Sequence, residues 1–184
     1  MGTKTLNKEI QKILNPKNDL KAEKEFGDII FREGDKVMQI KNNYDIPWES
    51  VNGELYGVGV FNGDLGIINS ITNNTIEVIY DEDKVVKYES GVLEEIEHAY
   101  AITIHKSQGS EFPLVVMPIT SGPPMLYTRN ILYTGVTRAK SLLIILGKES
   151  IVEYMIKNNT TTSRNTGLKQ KMNKYLEIWR GVNE

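Results

Sequence analysis

The chain is 184 residues long, with 40% hydrophobic and 25% charged residues and a formal net charge of −2. This composition allows one hydrophobic core with a small appended unit, and the charge by itself does not indicate a nucleic-acid binder. The absence of cysteine excludes disulfide bonds and thiolate metal sites, and no apolar run approaches the roughly 20 residues that span a bilayer. The sequence shows no secretory signal pattern, and the absence of cysteine fits a reducing compartment, so a cytoplasmic protein is expected.

The first part of the chain predicts a helix and two short strands. Apolar residues at helical spacing predict a helix over 6–14, which an Asn-Pro pair ends. A polar connector covers 17–24. Short β-rich runs predict strands over 29–31 and 36–41, and the composition of 42–52 predicts a loop.

The segment 56–89 has the pattern of a small antiparallel barrel or meander. Three short β-rich runs alternate there with turn-forming clusters at 62–64, 72–75 and 81–83. Alternate strand positions share one face, so one set of side chains is expected inside. The residues expected inside are Ile67, Ile76, Val78 and Val86. The sequence therefore predicts a β insert over 56–93.

After this segment the pattern is that of an α/β domain. The predicted strands are 99–104, 114–119 and 142–146. The predicted helices are 126–140, 149–158 and 168–179, the last two joined by a polar linker over 160–163. The continuous apolar run of the last strand is typical of an interior strand in a parallel sheet.

Positive charge is concentrated between residues 98 and 148. This stretch contains five Lys or Arg residues against a single acid, Glu111. A local basic face can bind phosphates even in an acidic protein, although a solvated surface is the alternative.

The segment 103–111 brings hydroxyl, imidazole, amide and carboxylate groups into one loop. Hydroxyls and backbone N–H groups suit nucleic-acid phosphates, and Gly109 permits close approach of the backbone. Standing alone, His105 would be interpreted as a satisfied core histidine. A metal site is disfavoured, because the only other histidine, His98, lies seven residues away and the chain has no cysteine.

Arg138 lies where a predicted helix meets a predicted buried strand. A planar guanidinium can stabilise the charge that develops on the terminal phosphate of ATP during cleavage. An isolated arginine is by default a surface residue in an ion pair. Its role therefore depends on the sequence around it.

The strings 101–111 and 132–140 resemble motifs V and VI of superfamily 1 DNA helicases, in the RecD-like branch that includes the alpha subunit of exodeoxyribonuclease V. The segment 31–45, with its Gly-Asp-Lys-Val-Met-Gln and Asn-Asn-Tyr strings, is similar to another segment of that family. The Asn-Gly-Asp turn in 60–66 is similar to the turn that opens the family's SH3-like domain. The Gly-Asp pair in 31–45 and the Asn-Gly-Asp turn in 60–66 consist of residues that are common in the turns of any β protein. A structural role is therefore expected first for both.

The resemblance implies an α/β fold, with a RecA-like parallel sheet and helices and an inserted, small SH3-like antiparallel β barrel. The expected domains are the second RecA-like helicase domain over 1–55 and 94–160, the SH3-like insert over 56–93, and a C-terminal helical tail over 161–184.

The resemblance also implies roles for single residues. Arg138 would be the arginine finger. The implied nucleotide-binding residues are Gln108, Gly109, Glu111 and Arg138, with Glu111 a candidate ribose contact. The implied DNA-binding residues are Thr103, His105, Ser107, Asn43 and Tyr44. An aromatic ring can stack on unpaired bases, although a packed tyrosine is an equal alternative for Tyr44.

The sequence lacks two parts of an ATP site, namely the Gly-x-x-x-x-Gly-Lys-Ser/Thr phosphate loop and a strand-borne Asp-Glu pair for magnesium. We therefore expect the C-terminal fragment of an ATP-dependent 5′-to-3′ DNA helicase, inactive alone, with ATP and Mg²⁺ as cofactors of the full-length enzyme only. The expected partners are single-stranded DNA, the missing N-terminal RecA-like domain of the same polypeptide and RecB- or RecC-like subunits, with no membrane. The alternative is a stand-alone nucleic-acid-binding or protein-interaction module without enzymatic activity.

Overall fold

The computed structural model describes residues 2–120, 122–159 and 167–182. The helices are α1 (Thr3–Leu14), α2 (Arg129–Val136), α3 (Glu149–Lys157) and α4 (Leu168–Val182), with short 3-10 helices over Ser90–Glu95 and Pro124–Leu126. The strands are β1 (Glu23–Phe26), β2 (Ile29–Arg32), β3 (Lys36–Gln39), β4 (Asn43–Ser50), β5 (Tyr56–Val60), β6 (Leu65–Ile71), β7 (Thr75–Tyr80), β8 (Lys84–Glu89), β9 (Ile96–His98), β10 (Phe112–Ile119) and β11 (Ala139–Gly147).

Helix α1 packs its polar side against the rest of the chain. It begins at Thr3 rather than at residue 6 and ends at Leu14, as predicted. Its buried side chains are Asn7 and Gln11, whereas Ile13 is 76% exposed. The apolar spacing that predicts the helix therefore does not mark the side that packs.

Seven strands form one antiparallel sheet, in the order β5-β4-β8-β7-β6-β3-β9. The sheet encloses a core whose fully buried members include Val37, Val60, Ile68, Ile76, Val78, Val86 and Leu93. It is wider than the segment 56–93, because β3, β4 and β9 pair with strands of that segment or with each other. The boundaries of the predicted insert stay a prediction.

One of the four residues predicted to lie inside this sheet is exposed instead. Ile76, Val78 and Val86 are fully buried, but Ile67 is 55% exposed and Ile68 is buried in its place. A shift of one residue along a strand moves a side chain to the opposite face, so adjacent isoleucines cannot be assigned to faces from composition alone. A register irregularity between Ile68 and Ser70 adds to this ambiguity.

Two secondary-structure predictions outside the segment 56–89 are also wrong. The predicted loop over 42–52 is mostly strand β4, which pairs with β5 and β8. The predicted strand over 99–104 is irregular instead. Its backbone is held by a side chain, because Asn7 Nδ2 donates to the Ala101 carbonyl at 2.9 Å and Asn7 Oδ1 accepts from the Ala101 N–H at 2.8 Å.

A second unit contains the only parallel strand pair of the described residues, β10 and β11. Helix α2 connects these strands, and its N-cap Thr128 accepts a hydrogen bond from the Ile131 N–H. The helix is shorter than the predicted 126–140, because Ala139 already belongs to β11. Side chains of both strands and of α2 and α3 share a small core, built on Met117, Ile119, Leu132 and Met155.

One face of this strand pair is uncovered, which corrects the prediction of an interior strand over 142–146. Helices α2 and α3 cover the face that carries Met117 and Ile119. The opposite face is apolar and exposed, with Leu114 at 51%, Val116 at 48%, Leu142 at 50%, Ile144 at 38% and Leu146 at 53%. Parallel sheets are normally covered on both faces, whereas the described part of the chain covers only one face of this strand pair.

Helix α4 agrees with the helix predicted over 168–179. Its side chains from Leu168 to Trp179 are exposed. The predicted linker over 160–163 lies outside the described residues. Within the described residues, no helix is long and apolar enough to cross a membrane.

Gly66 should be required for the packing of the antiparallel sheet. A methyl group at this position of β6 would lie 2.6 Å from Val78 Cγ1 and 2.8 Å from the Ile79 carbonyl oxygen. Gly66→Ala should therefore lower the free energy of unfolding by about 1–3 kcal/mol, as overpacking does. Urea denaturation measures this change. Gly91→Ala is the matched control, because a methyl group at Gly91 would have nothing within 4 Å of it; equal effects of the two substitutions would contradict the packing described.

Candidate functional site: the 103–111 loop and Arg138

The 103–111 loop is a short helical turn that a glycine ends. The Thr103 hydroxyl accepts a hydrogen bond from the Lys106 N–H at 3.2 Å, and the Ser107 N–H donates to the Thr103 carbonyl at 3.1 Å. Gly109 has a φ of +88°, in the left-handed region that favours glycine. Thr103 therefore begins the turn in the manner of a helix N-cap, and Gly109 reverses the chain towards β10.

The predicted loop residues do not share one environment. Thr103, His105, Gln108, Gly109 and Glu111 are exposed. Ser107 is only 6% exposed, and its hydroxyl donates to the Ile104 carbonyl at 2.8 Å. The Ser107 side chain thus stabilises the turn, and its contact with DNA stays a prediction.

Arg138 lies against this loop, although 27 residues separate it from Glu111 in the sequence. Its Nη1 donates to the Ser110 carbonyl at 2.9 Å, and its Nε donates to the Thr134 carbonyl of α2 at 3.2 Å. The Arg138 carbonyl in turn accepts from the Phe112 N–H at 2.8 Å, where β10 begins. The guanidinium therefore joins the loop to the end of α2, and the two separate sequence motifs form one surface.

Asn43 and Tyr44 lie apart from the loop, at the start of β4. The Asn43 side chain is engaged within the chain, because its Nδ2 donates to Glu95 at 2.9 Å and its Oδ1 accepts from two backbone N–H groups. Tyr44 is 64% exposed and packs edge-on against Phe61, with 5.7 Å between ring centroids. Phe61 was not among the predicted site residues, and only its place in the 60–66 turn could have suggested it.

The sequence assigned the Gly34-Asp35 pair a structural role in a turn but did not predict that Asp35 is a fully buried carboxylate beside the segment that leads into the loop. Its Oδ2 accepts from Gln11 Nε2 at 2.6 Å and from the Arg32 N–H at 2.8 Å, and lies 2.9 Å from His98 Nε2. Its Oδ1 accepts from Asn15 Nδ2 at 2.7 Å and from the Tyr100 hydroxyl at 2.9 Å. The carboxylate thereby connects α1, β2 and β9 to the residues that lead into the loop.

The pKa of Asp35 shows which interactions dominate at this carboxylate. Burial by itself raises the pKa of Asp35, but hydrogen bonds from His98 and Asn15 and the charge of His98 outweigh it and hold the pKa below the ordinary 3.8. Burial and the nearby Asp35 charge raise the pKa of Tyr100 to about 12, so its hydroxyl remains a donor at neutral pH.

Comparison of the sequence with known proteins identifies its family. Residues 6–87 match the family model described as the SH3 domain of ATP-dependent RecD-like DNA helicases, and residues 98–146 match that of the UvrD-like helicase C-terminal domain. The chain belongs to the RecD-like family of superfamily 1 helicases. The family resemblance and the mixed α/β fold class with an SH3-like unit are thereby confirmed.

Individual relatives are much longer than this chain. An uncharacterized protein of Methanocaldococcus jannaschii is 35% identical over 159 residues, which cover 80% of this chain and 13% of that protein. The RecBCD enzyme subunit RecD of Mycolicibacterium smegmatis is 35% identical over 117 residues, which cover 64% of this chain and 20% of that protein. The chain thus spans about a fifth or less of the length of these two relatives.

A solved structure shows a similar fold. The structure of Bacteroides Pif1 bound to ssDNA matches with a TM-score of 0.51 and 18% identity, over 82% of this chain and 42% of that one. At this identity the match supports the fold alone. The residue roles predicted for the RecD-like chain stay predictions.

Asp35→Asn should destabilise the chain strongly. The amide removes the charge and replaces one carboxylate oxygen with an NH₂ group, so the buried donors that bond to that oxygen lose their acceptor, at a cost of about 3 kcal/mol. Because the folded-state pKa of Asp35 is lowered, the charge-dependent part of the wild-type advantage should be complete at neutral pH, begin to shrink below about pH 3.8, and be lost once the pH falls through the folded-state pKa.

Urea denaturation of both proteins at several pH values measures this difference. Glu94→Gln is the control, because it removes an ion pair with Lys41 between exposed side chains and should leave the midpoint unchanged. A difference between Asp35→Asn and wild type that stayed constant down to the lowest pH would rule out the charged form of Asp35 as its source.

Proposed function

We propose that this chain is the part of an ATP-dependent 5′-to-3′ DNA helicase that supplies the arginine finger and part of the single-stranded DNA track. The observation that carries the proposal is the position of Arg138, whose guanidinium is bonded to both the 103–111 loop and α2. A group fixed there can link a change at a nucleotide to the shape of a neighbouring loop. The two helicase family models that match residues 6–87 and 98–146 support the helicase part of this proposal.

The exposed side of the loop would contact the DNA strand. The hydroxyl of Thr103 and the imidazole of His105 are exposed on one short turn. Hydroxyl and imidazole groups suit phosphate and sugar contacts, which hold a strand without reading its sequence. Such contacts are what a translocating enzyme requires, because it must move along any sequence.

The described residues fit only part of a nucleotide site. Three of the five Arg138 N–H donors are used by Thr134, Thr137 and Ser110, so donors remain for phosphate oxygens. The exposed residues of the loop beside Arg138 are Gln108, Gly109 and Glu111. Glu111 Oε2 lies 3.5 Å from Lys140 Nζ. Within the described residues, no three His, Asp or Glu side chains are grouped to hold a metal ion. ATP and Mg²⁺ would therefore be held mainly by another part of a longer protein.

The uncovered face of β10 and β11 supports the presence of such a part. Five exposed apolar side chains on one side of a parallel strand pair are costly in water, at about 25 cal/mol for each Å² of apolar surface. We assign the covering layer to further RecA-like segments of the same polypeptide. RecB- and RecC-like subunits and a cytoplasmic location stay predictions.

The second candidate is a binding module without enzymatic activity. The exposed ring pair of Tyr44 and Phe61 on the antiparallel sheet favours it, because exposed aromatic rings can stack on bases or enter a partner's pocket. In this alternative, DNA or partner binding depends on Tyr44 rather than on the 103–111 loop.

Single-stranded DNA should bind this chain through the loop. Thr103→Ala and His105→Ala should each weaken binding of a fluorescein-labelled oligothymidylate, measured by anisotropy, by about threefold to tenfold, since each removes a group that contacts the strand. Tyr44→Ala is the comparison variant. If Tyr44→Ala weakens DNA binding while Thr103→Ala and His105→Ala do not, the binding module is favoured instead.

In a longer protein that carries the phosphate loop, Arg138→Lys should strongly slow ATP hydrolysis while largely preserving ATP binding. Lysine keeps the charge but loses the planar fork, and the group acts mainly on the transition state, so kcat should fall by about 10³-fold or more with little change in KM. Steady-state kinetics with and without single-stranded DNA measure this.

The 184-residue chain is the control for that experiment, since it should hydrolyse no ATP even with DNA. Hydrolysis at the parent rate by Arg138→Lys in the longer protein would remove the arginine-finger assignment. DNA-stimulated turnover by the short chain, abolished by Arg138→Ala, would contradict the need for a second part.

A further inference from the structure

Helix α1 presents a row of lysines beside the 103–111 loop. Lys4, Lys8 and Lys12 recur at every fourth position and are exposed. Positions four apart lie on the same side of a helix, about 6 Å apart along its axis. The row follows the edge of the helix next to Asn7 and Gln11, the residues that pack it against the chain.

The lysine row and the loop line the same cleft. Its volume is about 430 Å³. Helix α1 forms one wall, residues 97–106 form another, and Met38 and Ile40 contribute to an apolar floor. Thr103, one of the proposed DNA contacts, lies on this cleft together with Lys106.

The cleft is lined by more basic than acidic groups. The basic residues are Lys4, Lys8, Lys12, Arg32 and Lys106, and the acidic residues are Glu9, Asp28 and Glu97. Three of the five basic groups are paired, namely Lys12 with Glu9, Lys106 with Glu97 and Arg32 with Glu23. Among the described residues, Lys4 and Lys8 have no ion pair, so their charge remains available to an anionic ligand.

The position of the lysine row relative to the loop is fixed by buried hydrogen bonds. Asn7 holds the backbone of Ala101 through two bonds, two residues before Thr103. Gln11 bonds to the buried carboxylate of Asp35, which also accepts from Tyr100. Both lysines alternate with these anchors along the helix. Gly2, at the N-terminal end of α1, lines a second cavity together with Thr103 and His105. A ligand that contacts Thr103 and extends along the cleft therefore reaches Lys4 and then Lys8.

We propose that Lys4 and Lys8 bind the backbone phosphates of the same single strand that Thr103 contacts. The inference rests on the proposed function and adds helix α1 to its DNA track. Ammonium groups at the edge of a cleft contact phosphates as point charges, independently of base sequence. The strand would run from the loop along α1, with the apolar floor beneath it.

The double variant Lys4→Ala/Lys8→Ala in the 184-residue chain tests the proposal. Anisotropy of a fluorescein-labelled oligothymidylate should show an affinity at least tenfold lower than that of the parent. The slope of log K against log salt should also become shallower by about 1.4, because each phosphate contact to a single strand contributes about 0.7. Lys4→Arg/Lys8→Arg should retain most of the affinity and the slope.

The matched control is Lys169→Ala/Lys171→Ala on α4, which makes the same change in net charge at exposed positions away from the cleft lining. All variants should keep the parent's circular dichroism spectrum, because the substituted side chains are exposed.

If both alanine pairs change affinity and slope equally, the effect is net charge alone and the proposal is overturned. If the parent binds DNA through Thr103 and His105 but Lys4→Ala/Lys8→Ala binds like the parent, this inference fails and the proposed function stands. If the parent binds no DNA, both fail.

Discussion

The arrangement of the molecule depends on one buried carboxylate. Asp35 is fully enclosed and has donors or a histidine nitrogen within 2.9 Å from α1, β2, β9 and Tyr100. Without these hydrogen bonds its charge would be costly to bury, and without the carboxylate the same donors would be buried unsatisfied. The need to satisfy this carboxylate and its donors therefore fixes the positions of the antiparallel sheet, of α1 and of the segment leading into the 103–111 loop.

A second constraint acts on the α/β unit. Its parallel strand pair has a covered face and an exposed apolar face, and only the covered face belongs to a core. Arg138 lies where this incomplete unit meets the loop, and it bonds to both. Hydrogen bonds thus fix the site well on the side of the antiparallel sheet, whereas further segments are proposed to complete it on the opposite side.

The sequence predicted local features and the motif pair better than it predicted packing. Turn chemistry located the hairpin turn at Asp81 and Glu82, both of which have positive φ. The motif strings predicted a site that combines the loop with Arg138, and the guanidinium contacts the loop, although the role of this site stays a prediction. The Asp35 cluster could not be predicted, because its partners Gln11 and His98 lie 24 and 63 residues away in the sequence. The strand predicted over 99–104 failed for a related reason, since a side chain of α1 satisfies the backbone there instead of a neighbouring strand.

The most direct test of the central claim is a titration of ¹⁵N-labelled chain with single-stranded DNA, followed by amide chemical shifts. If the loop and the adjacent helix form the DNA track, the largest shifts should map to residues 103–109 and to the first turns of α1. The amides of Gly53 and Gly91, which lie on other parts of the antiparallel sheet region, should stay unchanged. Shifts that map to Tyr44 and Phe61 and leave 103–109 unaffected would contradict the account.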